Sequence, residues 1–107
     1  MDIPVAADSI RESLREVIDP EIGINIVDLG LIYEIELTPT PDAEAQDVTV
    51  TMTLTTPGCP AGPHILQEVK GAVERLAGVN SLELDLTFSP MWNEEMMSED
   101  VRWILGR

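Results

Sequence analysis

One cysteine stands in this chain of 107 residues, within the run Thr55-Thr56-Pro57-Gly58-Cys59-Pro60. Gly58 permits an unusual backbone angle there, and Pro60 and Pro63 suit a first helical turn, where a missing N–H costs nothing. A cysteine placed where a strand hands over to a helix lies near unpaired backbone N–H groups and the positive end of the helix dipole. Both favour thiolate over thiol, and the thiolate is the form that ligates a metal or attacks an electrophile. Thr55 and Thr56 add hydroxyls able to hydrogen-bond to a sulphur or a bound anion. The same residue type also serves as a small buried apolar side chain, and the local sequence leaves both readings open.

Other groups capable of chemistry are few. Asp19 and Glu21 are closely spaced acids in a turn-rich stretch, with Asp28 a third; such carboxylates either hold a metal, do acid–base work or are simply solvated. His64 follows Cys59 by five residues and is a candidate second ligand or an exposed, idle side chain. Trp92 with Met96-Met97 forms an apolar group suited to core or lid packing, or to a partner-binding patch. The chain has no P-loop pattern, no Gly-x-Gly-x-x-Gly, no nucleophile elbow and no second cysteine for a zinc clamp.

The elements that must position these groups follow from periodicity. Ile10, Leu14, Val17 and Ile18 share one helical face, with Ser9 and Glu12 spaced as a capping box and Pro20 ending the helix near Asp19. Residues 19–30 read as a loop, yet carry five aliphatic side chains; this loop is expected to pack over the core and fix its acids. Leu31–Leu37 and Val48–Leu54 alternate as strands, joined through the proline-containing stretch Thr38–Asp47 into an antiparallel hairpin. A helix is expected from about Ala61 to Ala77, with Ile65, Leu66, Val69, Ala72, Val73 and Leu76 as its buried stripe and Gly78 as its stop. Val79–Phe88 alternates as a third strand, and Ser98 opens a short last helix with Glu99 and Asp100 in its first turn. The expected architecture is a two-layer α+β fold of the α/β type, in the order α-β-β-α-β. Its helices pack on one face of a small three-stranded mixed sheet, with a short C-terminal helix added.

Composition bounds the class of function. Length and apolar content suit one domain covering residues 1–107. Twenty acidic residues against six basic give a formal net charge of -14, which repels nucleic acid and anionic membrane surfaces. No apolar run approaches the roughly 20 residues of a membrane span, the N-terminus lacks a signal-peptide pattern, and a lone cysteine suits a reducing compartment. A cytoplasmic protein is expected.

Three ordered stretches carry a resemblance: Asp19-Pro20-Glu21…Asn25-Ile26-Val27-Asp28-Leu29-Gly30-Leu31-Ile32-Tyr33, Met52-Thr53-Leu54-Thr55-Thr56-Pro57-Gly58-Cys59-Pro60, and Pro90-x-Trp92…Met97-Ser98. Together they resemble the iron–sulphur cluster assembly (FSCA) domain family, that of SufT, the PaaD subunit and the eukaryotic cytosolic iron–sulphur targeting factor. The resemblance spans about Ile10 to Gly106. It implies a compact α/β domain with the cysteine facing the acidic loop, and so a site formed by Cys59, Asp19, Glu21 and Thr56, with Thr55 beside it. It further implies an accessory, non-enzymatic role in building or delivering clusters, with assembly proteins and client apoproteins as partners. Ser89-Pro90-Met91-Trp92 departs from the family's frequent Asp-Pro-Pro-Trp. The cysteine-rich segment of PaaD-type members and the P-loop ATPase of others do not occur in the sequence, so a stand-alone SufT-like protein fits best.

The resulting expectation is a factor that carries an iron–sulphur cluster transiently, with Cys59 as a ligand. Clusters need about four thiolates or substitutes, so one cysteine per chain implies a homodimer, a small thiol or a client's cysteines. Two alternatives remain: an adaptor that recruits clients without holding a cluster, using the Trp92 region and the acidic surface, and a redox-active thiol.

Overall fold

The computed structural model describes residues 6–41, 45–55, 58 and 60–105. Its elements run α1 (Ala7–Leu14), β1 (Ile18–Asp19), β2 (Ile24–Asn25), β3 (Ile32–Pro39), β4 (Gln46–Met52), α2 (Gly62–Glu74), β5 (Val79–Leu86), a 3₁₀ turn (Glu94–Met96) and α3 (Glu99–Ile104). β3, β4 and β5 form one sheet in that order, antiparallel between β3 and β4 and parallel between β4 and β5. The parallel pair is joined by α2, since strands running the same way need a crossover. The mixed three-stranded sheet with helices against one face is therefore as expected.

Register explains which face is covered. Ile35 and Leu37 lie opposite Val50 and Val48, which in turn lie opposite Leu84 and Leu82. This row set joins Ile10 and Leu14 of α1 and Ile65, Val69, Ala72 and Val73 of α2 in one apolar cluster. The other face carries Glu36–Thr49–Glu83 and Glu34–Thr51–Asp85 as successive cross-strand rows. Period-two alternation in all three strands sorts the side chains this way.

The second helix ends at Glu74, short of the expected Ala77, and larger departures from the expected boundaries lie at the two ends of the first. The first helix stops at Leu14 rather than near Ile18, its exit tightened by hydrogen bonds from Arg15, Glu16 and Val17 N–H to carbonyls three residues back. The cause lies downstream: the Val17 carbonyl accepts from Ile26 N–H at 3.0 Å, and Ile18 and Asp19 pair with Asn25 and Ile24. Residues 18–25 thus form a two-stranded ribbon rather than an irregular loop. Ile18, expected on the helix's apolar face, is 44% exposed on that ribbon. At the other end Ser9 sits inside the helix, its hydroxyl accepting from Ala6 N–H at 3.0 Å, so Ala6 and not Ser9 is the N-cap.

A segment after β5 is stitched along the chain that leads into β3. Trp92 Nε1 donates to the Leu29 carbonyl at 2.7 Å, Ser98 N–H to the Asp28 carbonyl at 2.7 Å, and the Tyr33 hydroxyl to the Pro90 carbonyl at 2.8 Å. Gly30 adopts a φ of +83°, and the Met96 carbonyl lies against it where a Cβ would sit. Only glycine meets both conditions without strain. Ser98 then caps α3, as its position in the sequence suggested.

Candidate functional site

The ribbon presents its acids by local hydrogen bonding. Asp19 is 1% exposed, and its Oδ1 accepts from Glu21 N–H at 2.8 Å. Its carbonyl accepts from Gly23 N–H at 2.7 Å and Ile22 N–H at 3.3 Å, closing the ribbon's tip. A buried carboxylate requires such partners. Glu21, by contrast, is exposed. Two acids two residues apart thus differ, one buried and the other exposed.

The ribbon lies at the end of the molecule where β4 gives way to α2. A run of backbone bonds steps across from Thr53 N–H to the Leu31 carbonyl (2.9 Å), Leu31 N–H to the Ile26 carbonyl (3.1 Å) and Ile26 N–H to the Val17 carbonyl (3.0 Å). On the helix side, Leu54 Cδ1 packs against Gly62. His64, in the first turn of α2, shares a shallow hollow with Glu16 and Val17 at the foot of the ribbon. The structure therefore brings Asp19 and Glu21 to the same end as half-buried Thr55 and the start of α2. Cys59 and Thr56 lie outside the described residues. Among those described, no side chain caps the N-terminus of α2, whose second helical position is Pro63.

The remaining candidates separate. Asp28 is not a third acid of this group: its Oδ1 accepts from Arg15 Nη1 at 2.6 Å and its Oδ2 from Asn25 Nδ2 at 2.9 Å. The Asn25 amide and, after some loss to burial, the Arg15 guanidinium hold this carboxyl below its ordinary range. His64 Nε2 lies 3.0 Å from Glu68 Oε1 one helical turn on, both side chains largely in solvent. Trp92 is half-buried against the core with its N–H committed to Leu29. Among the described residues no group of three or more His, Cys, Asp or Glu is arranged to hold a metal ion.

Sequence reasoning missed the Arg15–Asn25–Asp28 junction. The one local signal was Asn25-x-x-Asp28, where the Asn25 Oδ1 accepts from Asp28 N–H at 2.9 Å, a side-chain turn typical of asparagine. Arg15 carries no such signal, since its partner is thirteen residues away.

Comparison with known proteins identifies the family. A family model described as "Iron-sulfur cluster assembly protein" matches residues 7–84. A Porphyromonas gingivalis protein named as an Fe-S protein maturation auxiliary factor is 46% identical over 99 residues, 92% of this chain and 90% of its own. The maturation auxiliary factor SufT of Staphylococcus aureus is 42% identical over 90 residues, 84% of this chain and 97% of its own. Among solved structures, a conserved hypothetical protein from Thermotoga maritima superposes with a TM-score of 0.82 at 38% identity, covering 100% of both chains. With its fold, its motifs and these relatives in agreement, the chain belongs to the iron–sulphur cluster assembly protein family, as a SufT-like member.

Proposed function

We propose that this protein is a non-catalytic accessory factor in iron–sulphur cluster assembly or delivery, with the cluster as its cargo and Cys59 as one ligand. The observation that carries the reading is the fixed, buried carboxylate of Asp19, held at the end of the molecule where β4 passes into α2. That connection contains the chain's one cysteine. The positive end of the α2 dipole favours a thiolate in that connection, and the relatives' names as maturation factors support the role. On this reading exposed Glu21 and half-buried Thr55 are further residues of the site, with Thr56 next to Thr55 in sequence.

One thiolate cannot complete the roughly four-ligand shell of a cluster. The other ligands therefore come from a second copy of the chain, a small thiol or a client apoprotein, and transfer consists of exchanging the bond to Cys59, which leaves as thiolate, for a bond to a client's thiolate. No redox change is required of the protein in that exchange.

A second reading, recruitment of clients without cluster binding, is favoured by Ile18 and Ile22, which are 44% and 37% exposed on the ribbon around Asp19. One experiment separates the two. Anaerobic reconstitution of the wild type is expected to give cluster absorbance with iron and sulphide, and Cys59→Ala to lose both while still binding a purified client apoprotein. Equal iron and sulphide in Cys59→Ala would remove the ligand role and leave the adaptor reading.

A further inference from the structure

The Arg15–Asn25–Asp28 junction sits where the ribbon's two legs meet the body of the fold. Asn25 is the last residue of β2 and pairs across the ribbon with Ile18. Arg15 leaves α1 three residues before β1 begins. The Asp28 carboxylate takes a hydrogen bond from each, at 2.6 Å and 2.9 Å, and so grips both legs at their base. Its N–H is held by Asn25, and its carbonyl accepts from Ser98 N–H at the start of α3. Four bonds thus converge on one residue from three separate stretches of chain. None of them points toward Asp19, which lies at the far end of the ribbon.

We propose that Asp28 is a positioning residue: by clamping the base of the β1–β2 ribbon to α1 and to the start of α3, it sets where the Asp19 carboxylate is held. The significance of that placement rests on the reading of Asp19 and Cys59 as parts of one site. The ribbon has only two paired residues per strand, and a two-stranded unit so short has little stability of its own. Its orientation therefore comes from the packing of Asp19 and Ile24 against the fold and from the attachments at its base. The charge-assisted pair with Arg15 joins side chains thirteen residues apart in the chain, and such bonds are stronger than neutral ones. Both groups are partly exposed, at 40% and 27%, so the clamp steadies the ribbon more than it stabilises the whole fold.

Local hydrogen exchange reads this directly, because the amides of Glu21 and Gly23 are both held by Asp19. In Asp28→Ala and in Arg15→Met, exchange at these two amides is expected to accelerate several-fold. The Val69 and Val73 amides on the buried face of α2 should keep their wild-type rates, since ribbon opening is local. Arg15→Lys, which keeps the charge, should fall between Arg15→Met and wild type. Arg15→Met leaves Asn25 and Ser98 in place, so it remains informative if Asp28→Ala folds poorly. Unchanged Glu21 and Gly23 rates, or acceleration that merely follows Val69 and Val73, would overturn the proposal. The readout involves neither Cys59 nor a cluster, so a failed reconstitution leaves this result standing and the reverse holds equally.

Discussion

At the scale of single residues, neighbouring acids of the same type have different fates, and hydrogen-bond partners decide which. Asp19 is buried and bonded to Glu21 N–H, Glu21 is exposed, and Asp28 is tied to Arg15 and Asn25. The sequence marks all three as acids in a turn-rich stretch but cannot tell which will meet Arg15. That is a tertiary contact, absent from any local pattern. Gly30 shows the same limit: its sequence context reads as an ordinary turn, while its real constraint is the Met96 carbonyl arriving from the far end of the chain. A Cβ at position 30 would meet both a left-handed backbone angle and that carbonyl. Gly30→Ala is expected to destabilise the protein by about 3 kcal/mol, combining the left-handed and overpacking costs. Urea denaturation measures this, and a change under about 0.5 kcal/mol, typical of an unconstrained surface site, would show that the segment lifts away freely.

Among the elements, the strands were the most legible. Alternation in Val48–Leu54 and Val79–Phe88 separates a threonine and acid face from an apolar one, and the observed β4 and β5 keep that separation, with β4 shifted two residues earlier and β5 ending two residues sooner. The first helix was less so, because Val17 satisfies a helical period and yet is buried beneath a tightened turn that feeds the ribbon. Periodicity reports which side chains face the core, not whether the backbone between them stays helical. The open face of the sheet offers a test of the register. Thr49 lies between Glu36 and Glu83 on adjacent strands, so Thr49→Lys should place a positive charge between two carboxylates. Cross-strand pairs of opposite charge predict a gain of about 0.5 kcal/mol, lost at high salt. Thermal denaturation at low and high salt checks it; a loss of stability at low salt would mean that these three residues do not share a face.

For the molecule as a whole, charge is divided between layers. The described basic residues, Arg11, Arg15, Lys70, Arg75 and Arg102, all lie on helices or their ends, while β3, β4 and β5 carry acids and no basic residue. Such a surface disfavours anionic polymers and bilayers, and no described helix is long and apolar enough to cross a membrane. The resemblance to cluster assembly proteins was legible from three separated motifs, whereas the ribbon that carries Asp19 became visible only in three dimensions. The arithmetic of ligands also belongs to this scale: with one cysteine in the chain, a cluster must be shared between molecules. Native mass spectrometry after anaerobic reconstitution, with no added thiol or client, tests that claim most directly. Iron and sulphide are expected only on a species containing two chains, and none on that species in Cys59→Ala. A cluster carried by a single chain would contradict it.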